Sequence, residues 1–150
     1  MKFTQEIEIE KPIDAVVALF DNPENFDKWM PDLLNYQPLS GTPGSSGAKN
    51  KMTFKMGKGE MIMIETIINH NLPDELSATY EAKGIFNTIK YGFTEISSHK
   101  TRYFAENEFK MKGYLKIMEL LIPWVIKKQS MEYMKYFKQF AESKNQTLKT

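Results

Sequence analysis

The side chains of this sequence that could do chemistry are a few polar residues set into alternating apolar runs. Glu65 stands between Met63 and Ile67 on one face of a strand-like run, while Ile62, Ile64, Thr66 and Ile68 claim the other face. Periodicity leaves open which face looks inward. A buried Glu65 would be a candidate acid or base. Alternation likewise groups Ala78, Tyr80 and Ala82, then Ile89, Tyr91 and Phe93, and then Tyr103, Ala105, Asn107, Phe109 and Met111. If those three faces look inward, three hydroxyls and an amide punctuate an apolar wall, the mixture that small-molecule pockets show. On the other reading the tyrosines complete the core and put their hydroxyls at the surface.

Other familiar chemistries are excluded or weak. There is no cysteine, so disulfides, thiolate zinc sites and a cysteine nucleophile are ruled out. The only histidines are His70, just before the Asn71-Leu72-Pro73-Asp74 turn, and His99, in a hairpin loop. Neither supports a hydrolytic relay or a metal site, which need partners converging in a cleft, and no metal or cofactor is expected. Gly41 to Gly47 is glycine-rich but is followed by a strand, without the lysine and helix that a phosphate-binding loop requires. Lys116, Lys127 and Lys128 suggest an anionic surface, yet Glu119 and Glu132 flank them, and a solvated helix face is the expectation. Lys127 falls on the apolar face of the last helix, where it either snorkels or meets a ligand carboxylate.

The elements that must position these residues follow from pattern. The chain has 150 residues and balanced charge, 20 Lys plus Arg against 19 Asp plus Glu, which fits one domain and gives no footprint for nucleic acid. No run is long enough to span a bilayer, Met1 to Glu10 is not a signal peptide, and the cytosol is the simplest compartment. Phe3, Gln5, Ile7 and Ile9 alternate as a half-buried strand. Two short helices follow, one opened by Pro12 and carrying Ile13, Val16, Val17 and Phe20, the other opened by Pro23 and carrying Phe26, Trp29 and Met30. Strands are expected at 34–40, 49–56, 60–69, 76–83, 88–96 and 101–111, in a meander. Beyond Gly113 a lead-in helix should break at Pro123 and give way to a long helix whose apolar face carries Met131, Met134, Phe137 and Ala141 and takes in Leu120 and Trp124. Residues 145–150 are polar and should fray.

This order, together with Ile9-Glu-Lys-Pro-Ile-Asp-Ala-Val-Val-Ala-Leu-Phe20, Trp29-Met-Pro31, Leu72-Pro-Asp-Glu-Leu76 and Tyr136-Phe-Lys-Gln-Phe-Ala-Glu142, resembles the START-like, helix-grip superfamily, also called SRPBCC. Within it the polyketide cyclase/dehydrase-like branch is the most similar. The resemblance implies an α+β fold in which a curved antiparallel sheet of six or seven strands grips a long C-terminal helix. It also implies a cavity between them for a sterol, lipid, polyketide or quinone. Candidate cavity residues are Glu65, Tyr80, Ile89, Tyr91, Phe93, Tyr103, Asn107, Phe109, Leu120, Trp124, Lys127, Met131 and Met134. The mouth is expected where Gly41–Gly47 and a Gly84-Ile85-Phe86-Asn87 turn approach the lead-in helix, with Ile85 and Phe86 at the entrance. Binding or transport of a small hydrophobic molecule is the leading expectation. A cyclase or dehydratase using a buried acid or base, and a protein-interaction module, are the alternatives.

Overall fold

A computed structural model describes residues 1–144, and the polar tail expected to fray lies outside the described residues. Strand β1, Lys2–Ile9, is followed by α1, Ile13–Phe20, a 3-10 turn over Pro23–Asn25 and the single-turn α2, Phe26–Trp29. Six strands then run in sequence: β2 Leu33–Ser40, β3 Lys49–Met56, β4 Gly59–Asn71, β5 Glu75–Ala82, β6 Ile85–Ser97 and β7 Lys100–Met111. Two helices close the chain, α3 Leu115–Leu121 and α4 Pro123–Ser143. The strands form one antiparallel sheet in the order β1-β7-β6-β5-β4-β3-β2.

The first two strands therefore lie at opposite edges of the sheet, and α1 and α2 carry the chain from one edge to the other. Pro12 takes the capping position of α1 with an extended backbone, one residue before the first turn that the sequence suggested for it. Asn22 caps the 3-10 turn by accepting from the Glu24 N–H at 3.0 Å. Pro123 begins α4, where its missing N–H costs nothing, and Ile122, with φ −130° and ψ 46°, separates α3 from α4.

Within the sheet the expected alternation holds: on β7, Thr101, Tyr103, Ala105 and Asn107 are buried while Glu106 between them is exposed. The turn before β6 is shorter than the sequence suggested. It consists of Lys83 and Gly84, and Ile85, Phe86 and Asn87 already belong to the strand. Gly84 has φ +77°, the left-handed region that favours glycine, and a Cβ there would meet the end of the Leu115 side chain at 2.8 Å, which would have to turn aside.

The gripped helix buries Met134, Phe137 and Ala141, an i, i+3, i+7 stripe. Phe137 meets Phe20 of α1 at 5.4 Å between ring centroids, Trp29 of α2 at 5.2 Å and Tyr103 of β7 at 5.5 Å, all edge to face. Phe20 also touches Phe93 at 5.0 Å and Tyr91 at 5.2 Å. Each such pair adds roughly 0.5–1.5 kcal/mol beyond area burial, so this cluster fixes α1, α2 and α4 on the sheet. Phe137→Ala should lower the unfolding free energy by about 3–5 kcal/mol in denaturant titration. Met131→Ala, removing a side chain only partly buried at the edge of the same cluster, should cost distinctly less.

Candidate functional site

The sheet is wider than α4 can cover, and between its inner face and the first half of α4 it encloses a cavity of about 310 Å³. Alternation on five strands supplies the wall: Met52, Phe54 and Met56 from β3, Met61, Met63 and Glu65 from β4, and Tyr80 from β5. Ile85, Asn87, Ile89 and Tyr91 come from β6, and Tyr103, Ala105, Asn107, Phe109 and Met111 from β7. Ile126, Gln129, Ser130, Tyr133 and Met134 of α4 form the roof. Phe20, Phe26 and Trp29, part of the aromatic cluster, close one end. Seven of the ten methionines, Met30, Met52, Met56, Met61, Met63, Met111 and Met134, face this space, giving a lining that can reshape around different ligands.

The polar groups on this wall are ordered. Glu65 is 6% exposed, so β4 turns its Met63/Glu65/Ile67 face inward and resolves the ambiguity of its sequence. The Tyr36 hydroxyl donates to Glu65 Oε1 at 2.6 Å and the Asn50 side-chain amide donates to the same oxygen at 3.0 Å. Tyr80 and Tyr91 hydroxyls lie 3.4 Å apart and continue the polar line across β5 and β6. Burial, with Tyr91 and Glu65 adding to it, holds the Tyr80 pKa well above its ordinary value. Burial likewise raises Tyr91, Tyr103 and Tyr36, the last reinforced by Glu65. All four are therefore held as neutral phenols, able to donate and accept.

Three of the lining residues each keep one buried polar atom with no hydrogen-bond partner among the described residues: Asn87 Oδ1, Trp29 Nε1 and Gln5 Oε1. Gln5 spends its amide on the Lys127 carbonyl at 2.9 Å, tying β1 to α4. A buried polar group without a partner is costly, and such groups in native proteins mark strain, solvent or ligand sites.

No family model matches the chain, and no curated protein matches it. Solved structures do. Ara h 8.0201 is 14% identical over 96% of this chain and 99% of that chain, with a TM-score of 0.76. The Zhui aromatase/cyclase from a Streptomyces species is 8% identical over 95% and 93%, with a TM-score of 0.80. A norcoclaurine synthase from Thalictrum flavum, solved with dopamine and hydroxybenzaldehyde, is 13% identical over 97% and 89%, with a TM-score of 0.72. The chain has the helix-grip fold. At these identities the likeness is one of fold, and it agrees with the START-like, SRPBCC resemblance of the sequence.

The helix-grip arrangement brings Glu65, Tyr80, Ile89, Tyr91, Tyr103, Asn107, Phe109, Met134 and Ile85 to the cavity wall. It places the other candidates elsewhere. Phe93 is in the aromatic core, stacked on Tyr103 at 5.0 Å, and Met131 packs beside that core. The Lys127 ammonium sits outside, 5.8 Å from the centroid of Phe3. Leu120 and Trp124 are 74% and 64% exposed, so neither continues the buried stripe. The break at Ile122 interrupts helical phase before Leu120, and Trp124, ten residues before Met134, has rotated by roughly 80° to the flank of the stripe. Phe86 alternates with Ile85 and faces the other side of β6.

The mouth also differs from expectation. In an antiparallel meander successive connections alternate between the two ends of the sheet, so the Gly41–Gly47 connection and the Lys83-Gly84 turn are at opposite ends. The cavity instead reaches the end marked by the β3–β4 and β5–β6 turns, where Met56, Met61, Ile85, Met111 and Ile126 line it. Sequence reasoning missed Asn87, which had been read as part of a turn, although its parity with Ile89 and Tyr91 was the available signal. Tyr36 and Asn50 are visible only as partners of Glu65.

The raised tyrosines give a pH signature. The unfolded chain releases these phenolic protons near pH 10 while the folded state retains them, so the stability they contribute is complete below about pH 10 and declines above it. In an alkaline titration followed by phenolate absorbance, the signal from Tyr36, Tyr80, Tyr91 and Tyr103 should appear together with loss of near-ultraviolet circular dichroism. Full ionisation of all tyrosines in a still folded protein would contradict this arrangement.

Proposed function

We propose that this protein binds, noncovalently, a small and mostly apolar molecule carrying one or two hydrogen-bonding groups, and that it stores or transports that molecule. The observation that carries the reading is an apolar, methionine-rich cavity with a few polar side chains on its wall, Tyr80, Tyr91 and Asn87 among them. Apolar lining supplies affinity and a few fixed polar groups supply orientation. The volume, about 310 Å³, lies at the small end of ligand pockets and favours a compact ring system, such as a quinone, a polyketide-like aromatic or a short lipid, over a two-chain lipid. The neighbouring structures support the same class, since one was solved with dopamine and hydroxybenzaldehyde and another is an aromatase/cyclase. A cytoplasmic setting fits the lack of cysteine, and the balanced charge offers no footprint for nucleic acid.

A second reading, acid/base catalysis on a bound carbonyl compound of the cyclase or dehydratase kind, draws on the Glu65, Tyr80 and Tyr91 line. It needs substrate to reach Glu65, whose Oε1 is already engaged by Tyr36 and Asn50. Those two bonds favour a structural and orienting part for Glu65, and hence binding over turnover.

A thermal-shift screen of fatty acids, sterols, quinones and aromatic polyketides checks the proposal. A ligand at 100 times its dissociation constant should add about 2.7 kcal/mol, and no stabilisation by any class would overturn it. Asn87→Leu sharpens the test. Removing the unpartnered amide should leave the ligand-free protein as stable or more so, while affinity for a hydroxylated ligand falls about five- to tenfold. Unchanged affinity would remove Asn87 from the site.

A further inference from the structure

The part of the molecule that the cavity does not explain is the surface beside its mouth. No residue of α3 is buried, and Tyr114, Ile117, Leu120, Leu121 and Trp124 are all more than half exposed. Isolated apolar residues on a surface are ordinary, but five of them within eleven consecutive residues mark an interaction site.

Charge identifies the partner. Residues 110–128 contain five lysines, Lys110, Lys112, Lys116, Lys127 and Lys128, and one acidic residue, Glu119, whereas the rest of the chain carries 15 Lys plus Arg against 18 Asp plus Glu. Glu119 is turned back into the body, where its carboxylate meets the N-terminal ammonium at 2.8 Å and accepts from the Met111 N–H at 3.2 Å. The outward surface of this segment thus combines exposed lysines with tyrosine, tryptophan and branched apolar side chains. That is the composition of an element lying in the headgroup region of an anionic bilayer. A second copy of the chain fits less well, because a twofold interface on this strip would bring the lysine rims of both copies together. No described helix is long and apolar enough to cross a membrane, consistent with a surface contact.

We infer that α3 and the first turn of α4 dock this protein reversibly on an anionic lipid surface, with the cavity mouth against the membrane. Met111, just before α3, and Ile126, just after it, both line the cavity. Docking would therefore let an apolar ligand pass between bilayer and cavity without crossing water. This last step rests on the ligand-binding reading above, whereas docking itself does not.

The test is co-sedimentation of the full chain with phosphatidylcholine vesicles, with and without about 30% phosphatidylserine. Binding should be strong only to the anionic vesicles and should weaken as salt rises from roughly 0.1 to 0.5 M. The double variant Leu120→Ser/Trp124→Ser and, separately, Lys116→Glu/Lys128→Glu should each reduce binding about tenfold or more. All four side chains are exposed, so melting temperatures should stay at the wild-type value. Absence of binding to anionic vesicles, binding unaltered in both variants, or a dimer that depends on Leu120 and Trp124 in place of vesicle binding would overturn the inference. Cavity occupancy, followed with an uncharged fluorescent naphthalene probe without vesicles, should be the same in wild type and both variants. Vesicle binding by a protein that takes up no probe or screened ligand would leave docking standing and sink the ligand-binding reading. Probe uptake without vesicle binding would do the reverse.

Discussion

The aromatic contact between Phe20 and Phe137 is the constraint on which the rest of the structure depends. Phe20 sits at the end of α1 and touches rings from α2, β6, β7 and α4. Because both rings are essentially removed from solvent, their positions set where α4 can rest on the sheet. With α4 anchored toward its C-terminal half, its first turns are held over the remaining sheet by thinner contacts, such as Gln5 to the Lys127 carbonyl. The cavity is the space left under that half. One end is closed by aromatic packing, and the other is bounded by turns and methionines.

This division of labour separates stability from binding. Large rings packed edge to face leave little freedom at the closed end. The open half is lined by methionines, whose three rotatable bonds and polarisable sulfur let a wall fit several shapes at small cost. Polar groups respect the same division. Glu65 sits against β2 and β3 with two donors on one oxygen, so its burial is compensated. Asn87 and Trp29, which line the cavity, each keep one buried polar atom without a partner.

The lead-in helix α3 shows the opposite balance. It contributes no buried side chain, yet Leu115 lies over Gly84 and Glu119 pairs with the N-terminal ammonium. The segment is thus held in place while its apolar side chains face outward. An element so positioned and left uncovered is what the inferred lipid contact would use.

What the sequence by itself determined was the element order, the antiparallel meander, which residues of β5, β6 and β7 share a face, and the break at Pro123. These are local properties, set by a period of two in strands, a period of 3.6 in helices and the missing proline donor. The grouping of Tyr80, Tyr91, Tyr103 and Asn107 with apolar neighbours on their strands was legible for the same reason, whereas the side to which those faces turn was not. Tertiary structure alone decided the face of β4, because Ile62, Ile64 and Ile68 are as apolar as Met61, Met63 and Ile67, and only the donors Tyr36 and Asn50 from neighbouring strands make it favourable to bury Glu65. It also decided that Leu120 and Trp124 leave the buried stripe, since helical phase cannot be carried through Ile122, and that the mouth lies away from Gly41–Gly47, since the end at which a loop falls depends on its place in the strand order. Periodicity describes one element at a time, whereas a cavity is a relation between several.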